Sequence, residues 1–529
     1  MTNRAYNRPR ADRSYLLAVL SGALYFLGFA GFDLWPLAFI ALIPLFVVLN
    51  GEPLSGGRAT LVGIVFGFTT HAGGYYWLVG MLKNFSGFPL FVCLLFTAVV
   101  CLYQGGQLAL FFWLLSRARA RGRSATWSAI PIYCAVEIAY PLLFPSYYCN
   151  SLYDLPLLLQ VVDLGGPILL TAVTIAINGA IYELARAWLS GKAIERALPV
   201  TAAVALCLTL GYGWYRCREV DARVATAEKT TVGIVQANMG IFSKSRDVVE
   251  GHRRHLEQSL HLERSVSPDL IVWPESAFQR AIRPGQNNVR ETVLGSLTTP
   301  LLFGGLAIRR VDGKRRVYNT AFMTNSQGDI LSTYDKTYLL AFGEFIPFGE
   351  TFPILYKWSP QTSHFTPGDH VRSLPFNRYR ITTLICYEDI VPGFVRRAVK
   401  QGNPHLLVNI TNDSWFGDTN EPWIHLALAK FRAVEHHRYL VRATNSGVSA
   451  VIDPLGRTLI KSPVFERATL HARVAMLNTP TLYQQLGDWP GWLALFWTIG
   501  AFFLPLRRST PEGIGSGERP AQKKSKARA

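Results

Sequence analysis

The sequence predicts two parts, a bundle of apolar helices and a layered α/β domain, and three observations carry that prediction. Half of the 529 residues are apolar and the mean hydropathy is positive, +0.19, which soluble domains rarely show. The apolar residues are also unevenly placed: roughly the first 215 form near-continuous apolar stretches, whereas residues 220–480 have mixed polarity. In that second region short β-rich runs alternate with amphipathic helical patterns, as in a layered α/β domain.

Taken in order, the apolar stretches fall at about 15–32, 35–50, 59–80, 89–115, 127–146, 164–186 and 197–215, with an eighth from Trp489 to Leu506. Each is near the ~20 residues a helix needs to cross the hydrocarbon. The first follows Arg4, Arg8, Arg10 and Arg13 but is long for a signal peptide and lacks a small-x-small cleavage site, so it reads as an uncleaved span. The expected division is a membrane domain 1–215 of about seven helices, a catalytic domain 216–488, a last span 489–506 and a basic tail 507–529.

The formal charge of +18 does not point to nucleic acid, because the cations gather in short loops and tails where membrane topology places them. Arg58, the group Arg117 to Arg123, Arg186, Lys192, Arg196 and the tail from Arg507 all fall on one side if seven spans precede the domain. Both termini are then cytoplasmic and the 216–488 domain lies across the membrane, periplasmic if this is a bacterial inner membrane. His71 and Glu137 stand out inside the spans, since charge at membrane depth is expensive; an interhelical hydrogen bond accounts for either. Gly73-Gly74 and Gly105-Gly106 suit close helix packing.

Seven cysteines contain no CxxC pair, so no zinc or redox framework is expected, and neither His436-His437 nor His252 with His255 fits a metalloprotease signature. No cofactor or metal is called for. Cys149 and Cys217 could face the outside and form a bridge. Cys386 alone lies well inside the α/β region.

Candidate strands there are Val232–Ala237, Leu270–Trp273, Leu301–Ile308, Ala321–Thr324, Ile381–Cys386, Leu406–Ile410 and Val448–Ile452, with helices at 246–266, 390–401 and 421–438. Three apolar runs end on chemistry: Trp273-Pro274-Glu275, Tyr334-Asp335-Lys336 and Ile385-Cys386-Tyr387-Glu388. Singly these are a surface carboxylate, a solvated lysine and a core thiol. Together they answer a need, because a thiol of pKa near ~8.5 requires a base or a nearby cation to attack a carbonyl at neutral pH. Glu275 suits the base; Lys336 suits either the cation or the stabiliser of an oxyanion.

These three segments resemble the Glu-Lys-Cys elements of the nitrilase, or carbon–nitrogen hydrolase, superfamily, and with eight spans around them the whole chain is similar to the apolipoprotein N-acyltransferases. Gly343-Glu344-Phe345-Ile346-Pro347-Phe348, Thr411 to Asp418 and Arg442 to Ser449 support the likeness. The resemblance implies a nitrilase-like α-β-β-α sandwich on the periplasmic face of a bacterial inner membrane. It implies transfer of an acyl chain from a phospholipid, typically phosphatidylethanolamine, to the α-amine of the S-diacylglyceryl-cysteine of an apolipoprotein. Glu275 becomes the general base, Lys336 the stabiliser of the tetrahedral intermediate and Cys386 the nucleophile of a two-step, thioester route. Glu344, Tyr387 and Glu388 match supporting active-site residues. Nothing demands more than a monomer.

The family often has a tryptophan shortly after the first strand, where this chain reads Met239 to Ser245 without one. Two other readings use the same residues: a membrane-tethered amidase or nitrilase, in which water resolves the thioester, and a lipid-binding scaffold with a decayed site.

Overall fold

The computed structural model describes residues 11–50, 54–191, 193–240, 247–341, 343–346, 348–358 and 362–503. Arg4, Arg8 and Arg10, Lys192, the stretch from Ile241 to Ser245, Pro347 and the basic tail lie outside the described residues.

The first part is helical: α1 Ala11–Phe26, α2 Ile43–Leu49, α3 Gly56–Gly74, α4 Trp77–Ser86, α5 Leu90–Ala120, α6 Ala125–Ala139, α7 Pro167–Ser190 and α8 Ala197–Thr226. Among the described residues three helices, α5, α7 and α8, are long and apolar enough to cross a membrane. They coincide with three of the eight expected stretches. Others are divided for local reasons. Pro36 and Pro44 break the 35–50 stretch into a 3-10 turn at Trp35–Phe39 and the seven-residue α2. The 127–146 stretch stops at Ala139, because Pro141 forces Tyr140 into an extended conformation.

Small residues let α3 and α5 touch through their backbones: a Cβ on Gly67 would lie 2.1 Å from the Gly105 carbonyl oxygen. Gly73 and Gly74 likewise seat the rings of Phe26 and Phe29. His71 bonds the Gly67 carbonyl of its own helix at 3.0 Å. Glu137 accepts from the Tyr148 amide at 2.6 Å and from Thr171 at 3.3 Å, joining α6 to α7. Both polar side chains thus have structural partners. Cys149 and Cys217 are free thiols, and the buried Cys149 bonds the Pro167 carbonyl at 3.3 Å instead of forming the suggested bridge.

Two sheets form the second part. The first has the order β13-β1-β2-β4-β5-β6, with β3 beside β4; the second runs β12-β11-β10-β9-β8-β7. The strands are β1 Lys229–Gln236, β2 Leu270–Val272, β3 Phe278–Ile282, β4 Leu301–Val311, β5 Lys314–Thr324, β6 Ile330–Asp335, β7 Ser373–Phe376, β8 Tyr379–Ile385, β9 Leu406–Thr411, β10 Tyr439–Thr444, β11 Ala450–Ile452, β12 Thr458–Lys461 and β13 Ala468–Ala475.

Alternation along the central strands fills two layers at once. Val232, Ile234 and Val272 face Ile385, Val408 and Val441 between the sheets. Val235, Ile271 and Trp273 face the helix α9, Val248–Val266, on one outer side. Leu384, Leu407 and Leu440 face α10, Pro392–Gly402, and α11, Glu421–His436, on the other. The result is a helix–sheet–sheet–helix sandwich. A last helix, α12, covers Trp489–Phe503.

α11 joins the two parts. Leu426, Ala429 and Ala433 lie on the sheet, while Ala427, Phe431 and Val434 pack with Ala30, Ala38 and Leu152. Asn420, just before it, donates to the Gly74 carbonyl at 3.0 Å.

Candidate active site

All three chemistry-bearing segments emerge at the C-terminal ends of strands. After β2, Pro274 ends the ladder and Glu275 turns inward beneath Gly304; a Cβ there would sit 2.7 Å from the Glu275 Cα, so only glycine permits the approach. After β6, Lys336 is buried, 1% exposed. After β8, Cys386 has φ +52°, a left-handed conformation rarely used by non-glycine residues. It opens a 3-10 turn, Cys386–Ile390, and is partly accessible.

The structure brings Glu275, Lys336, Glu344 and Cys386 into one constellation. Lys336 Nζ lies 2.7 Å from Glu344 Oε2 and 3.6 Å from Glu275 Oε1. Asn319 on β5 donates to both carboxylates, to Glu275 at 2.7 Å and to Glu344 at 3.1 Å. Its backbone carbonyl accepts the Lys336 amide at 2.8 Å. Burial opposes the Lys336 charge, but Glu344, Cys386 and Glu275 outweigh it and raise its pKa. Burial, and then the Glu275 charge, push the Cys386 thiol well up; Lys336 opposes them without prevailing. Burial and Glu275 thus favour the neutral thiol, and Lys336 favours the thiolate.

Glu388 holds the lysine and cysteine segments together. Its Oε1 accepts from the Thr337 and Tyr338 amides at 2.9 and 3.0 Å and from the Tyr334 hydroxyl at 2.7 Å. Its Oε2 accepts from the Ile385 amide at 2.8 Å. Burial pushes this carboxyl up to about 7, against the pull of the surrounding donors and Lys336. Tyr387 points the other way: its hydroxyl donates to the Leu143 carbonyl, in a loop of the helical part. Gln104 of α5 fixes that loop, accepting from Leu143 N at 2.7 Å and donating to the Phe144 carbonyl at 2.9 Å.

Behind the thiol lies a buried charge cluster that the three-residue reading missed. Asn409 donates to the Cys386 carbonyl at 3.2 Å and accepts from Arg442 at 2.8 Å. Arg442 also reaches Asp389 and Asp413, each at 2.9 Å. His425 of α11 contacts the same two carboxylates at 2.8 and 3.3 Å, with Glu421 at 4.0 Å. Burial and Arg442 work against the imidazolium, but Asp389 and Asp413 raise it to about 9. Burial pushes the Glu421 carboxyl well up. The sequence signal was a polar interruption of an apolar run: Asn319 with Thr320 in Val317–Met323, Asn409 in Leu406–Ile410 and Arg442 in Tyr439–Ala443.

Among the described residues no group of three or more His, Cys, Asp or Glu side chains is arranged to hold a metal ion. What the constellation offers is an accessible thiol, a carboxylate beside it and a fixed cation, the parts of nucleophilic acyl chemistry.

The carbon-nitrogen hydrolase family profile matches residues 231–479, so the sandwich is a nitrilase-like α/β domain. The profile of the apolipoprotein N-acyltransferase N-terminal domain matches residues 21–180. Relatives named apolipoprotein N-acyltransferase align along nearly the whole chain. The one from Geobacter metallireducens is 29% identical over 513 residues, 95% of this chain and 96% of its own. That from Bdellovibrio bacteriovorus is 30% identical, covering 92% of both chains. That from Azotobacter vinelandii is 31% identical, covering 90% of this chain and 92% of its own. The chain belongs to the apolipoprotein N-acyltransferase family and is an acyltransferase.

Proposed function

We propose that the protein N-acylates the S-diacylglyceryl-cysteine at the N-terminus of apolipoproteins, taking the acyl chain from a phospholipid through a thioester on Cys386. The observation that carries this reading is the meeting of Glu275, Lys336 and Cys386 at the face of the sandwich where Tyr387 bonds Leu143 of the apolar helical part. A lipid ester approaching sideways along that part arrives at the thiol.

In the first step Glu275 takes the Sγ proton as sulfur attacks the ester carbonyl. Lys336 faces the oxyanion that forms. Collapse breaks the ester C–O bond, and the lysophospholipid leaves with the proton from Glu275. In the second step the lipoprotein α-amine attacks the thioester, Glu275 takes an N–H proton, and the C–S bond breaks with return of the proton to sulfur. Burial and Glu275 both favour the neutral thiol, which suits a base that acts during attack rather than beforehand. Glu344 and Asn319 orient Lys336 and Glu275; Glu388 and Tyr387 position the turn that carries the sulfur.

The same reading places residues 1–215 and 489–506 in a bacterial inner membrane as eight spans, with 216–488 periplasmic and both termini cytoplasmic. The long apolar helices α5, α7 and α8 and the one-sided loop cations support it. Phosphatidylethanolamine is the expected donor, through its sn-1 chain, and a monomer suffices. The test is incubation of the purified protein with phosphatidylethanolamine and a diacylated lipopeptide. Triacylated peptide is expected; free fatty acid in its place would make the protein a hydrolase.

A further inference from the structure

We infer that Asn409 is a positioning residue for the nucleophile: it holds the left-handed turn at Cys386, and Arg442 holds Asn409 in the one orientation that can do so. The inference rests on Cys386 as the acylated thiol. A cysteine at φ +52° sits in a sparsely populated conformation, which persists only where its surroundings over-determine it. Here three backbone groups within Leu384–Cys386 are held by buried side chains. Asn409 Nδ2 donates to the Leu384 carbonyl at 3.1 Å and to the Cys386 carbonyl at 3.2 Å, and Glu388 accepts from the Ile385 amide between them at 2.8 Å. Glu388 ties that amide to the lysine segment. Asn409 ties the flanking carbonyls to the middle of the second sheet.

Strand register puts the parts in line. β8, β9 and β10 are parallel neighbours, with Leu384 beside Asn409 and Asn409 beside Arg442. Partners at one level share a face, here the one that α11 covers. A side-chain amide offers an acceptor on one side and donors on the other, whereas a guanidinium only donates. Arg442 Nη1, at 2.8 Å, therefore claims Asn409 Oδ1, and the NH2 group is left facing the two carbonyls.

Arg442 is itself fixed by Asp389 and Asp413, each at 2.9 Å, with His425 of α11 across the same two carboxylates. Asp389 belongs to the Cys386–Ile390 turn. One guanidinium thus holds the turn at two points, directly at Asp389 and through Asn409 at Cys386. Asn409, Arg442, Asp389 and Asp413 are all fully buried, so these bonds are shielded from water and act at low dielectric.

The test measures the rate of acyl-adduct formation on full-length Asn409→Leu and Asn409→Asp proteins, with phosphatidylethanolamine and no acceptor, as a function of pH and beside melting curves. Leucine removes both halves of the amide; aspartate keeps an acceptor for Arg442 and removes the donors to the carbonyls. Both folded variants are expected to lose about a hundredfold in rate at saturating lipid, the effect of a ~1 Å displacement of a reacting group, with KM for phospholipid little changed. In Asn409→Asp the loss should be the same at every pH. An Asn409→Asp rate within threefold of the parent, with Asn409→Leu slow, would make Asn409 only a partner for Arg442 and overturns the inference. A loss in Asn409→Asp that vanishes at high pH also overturns it, because the added charge would then be acting on the thiol's ionisation. Parent rates in both variants overturn the role of Asn409 and leave Cys386 as the nucleophile; no adduct on the parent protein overturns both.

Discussion

Glu388→Gln is the substitution that most cleanly separates positioning from chemistry. The carboxylate serves two backbones, Thr337 and Tyr338 after the lysine and Ile385 before the cysteine, through different oxygens. A glutamine has one acceptor oxygen. If that oxygen keeps Thr337, Tyr338 and the Tyr334 hydroxyl, its amide group confronts the Ile385 N–H, and a buried donor loses its partner. Such a loss costs about 1–3 kcal/mol. The fold survives a cost of that size. The cysteine turn shifts relative to Lys336, and displacement by ~1 Å of reacting groups lowers rates by about a hundredfold. Acyl transfer to a diacylated lipopeptide should therefore lose about two orders of magnitude in kcat, with KM for phospholipid little changed and the melting curve still cooperative. A rate within threefold of the parent enzyme would refute the claim that Glu388 sets the distance between the lysine and cysteine segments.

Gly304→Ala should lower acyl transfer in a folded protein, because its Cβ meets the Glu275 Cα, the Pro274 carbonyl and the Ser276 amide, each at 2.7 Å. Overpacking costs about 1–3 kcal/mol, and it moves the base; unchanged turnover with unchanged stability would count against the position assigned to Glu275. His425 supplies a pH prediction. Its pKa is raised from the ordinary histidine value to about 9 between Asp389 and Asp413, with Arg442 and Glu421 also facing it. The stability it contributes is complete below about pH 6.5 and is lost as pH rises through 9. Melting temperature should fall across that window in the parent protein and hold steadier in His425→Gln; parallel curves would contradict it.

Much of the site was legible in sequence because strand ends announce themselves. Proline after Ile271-Val272-Trp273 stops a strand, and Cys386 ends the apolar run Ile381–Ile385, so Glu275 and Cys386 could each be placed at a strand end; that the two ends meet was not legible from the runs themselves. The two-layer sandwich was less legible. β10 carries Arg442 in its middle, and a charge in a fully buried strand hides the apolar run that marks one; the Asp389, Asp413 and Asn409 partners make that burial tolerable. The long β4–β5 hairpin was read as two shorter strands, because its arginine-rich end looks like a loop. Helix length was overestimated in the 35–50 stretch, where Pro36 and Pro44 fall, since hydropathy alone does not register a missing N–H.

Everything proposed for the reaction passes through one covalent species. Incubating the protein with phosphatidylethanolamine and no acceptor, then measuring intact mass and mapping the modified peptide, tests it directly. The expected result is a single acyl adduct on the Cys386 peptide, discharged by a diacylated lipopeptide and missing from a folded Cys386→Ala protein. The same adduct in Cys386→Ala, or triacylated product formed by that variant at the parent rate, would contradict the assignment of Cys386 as the nucleophile.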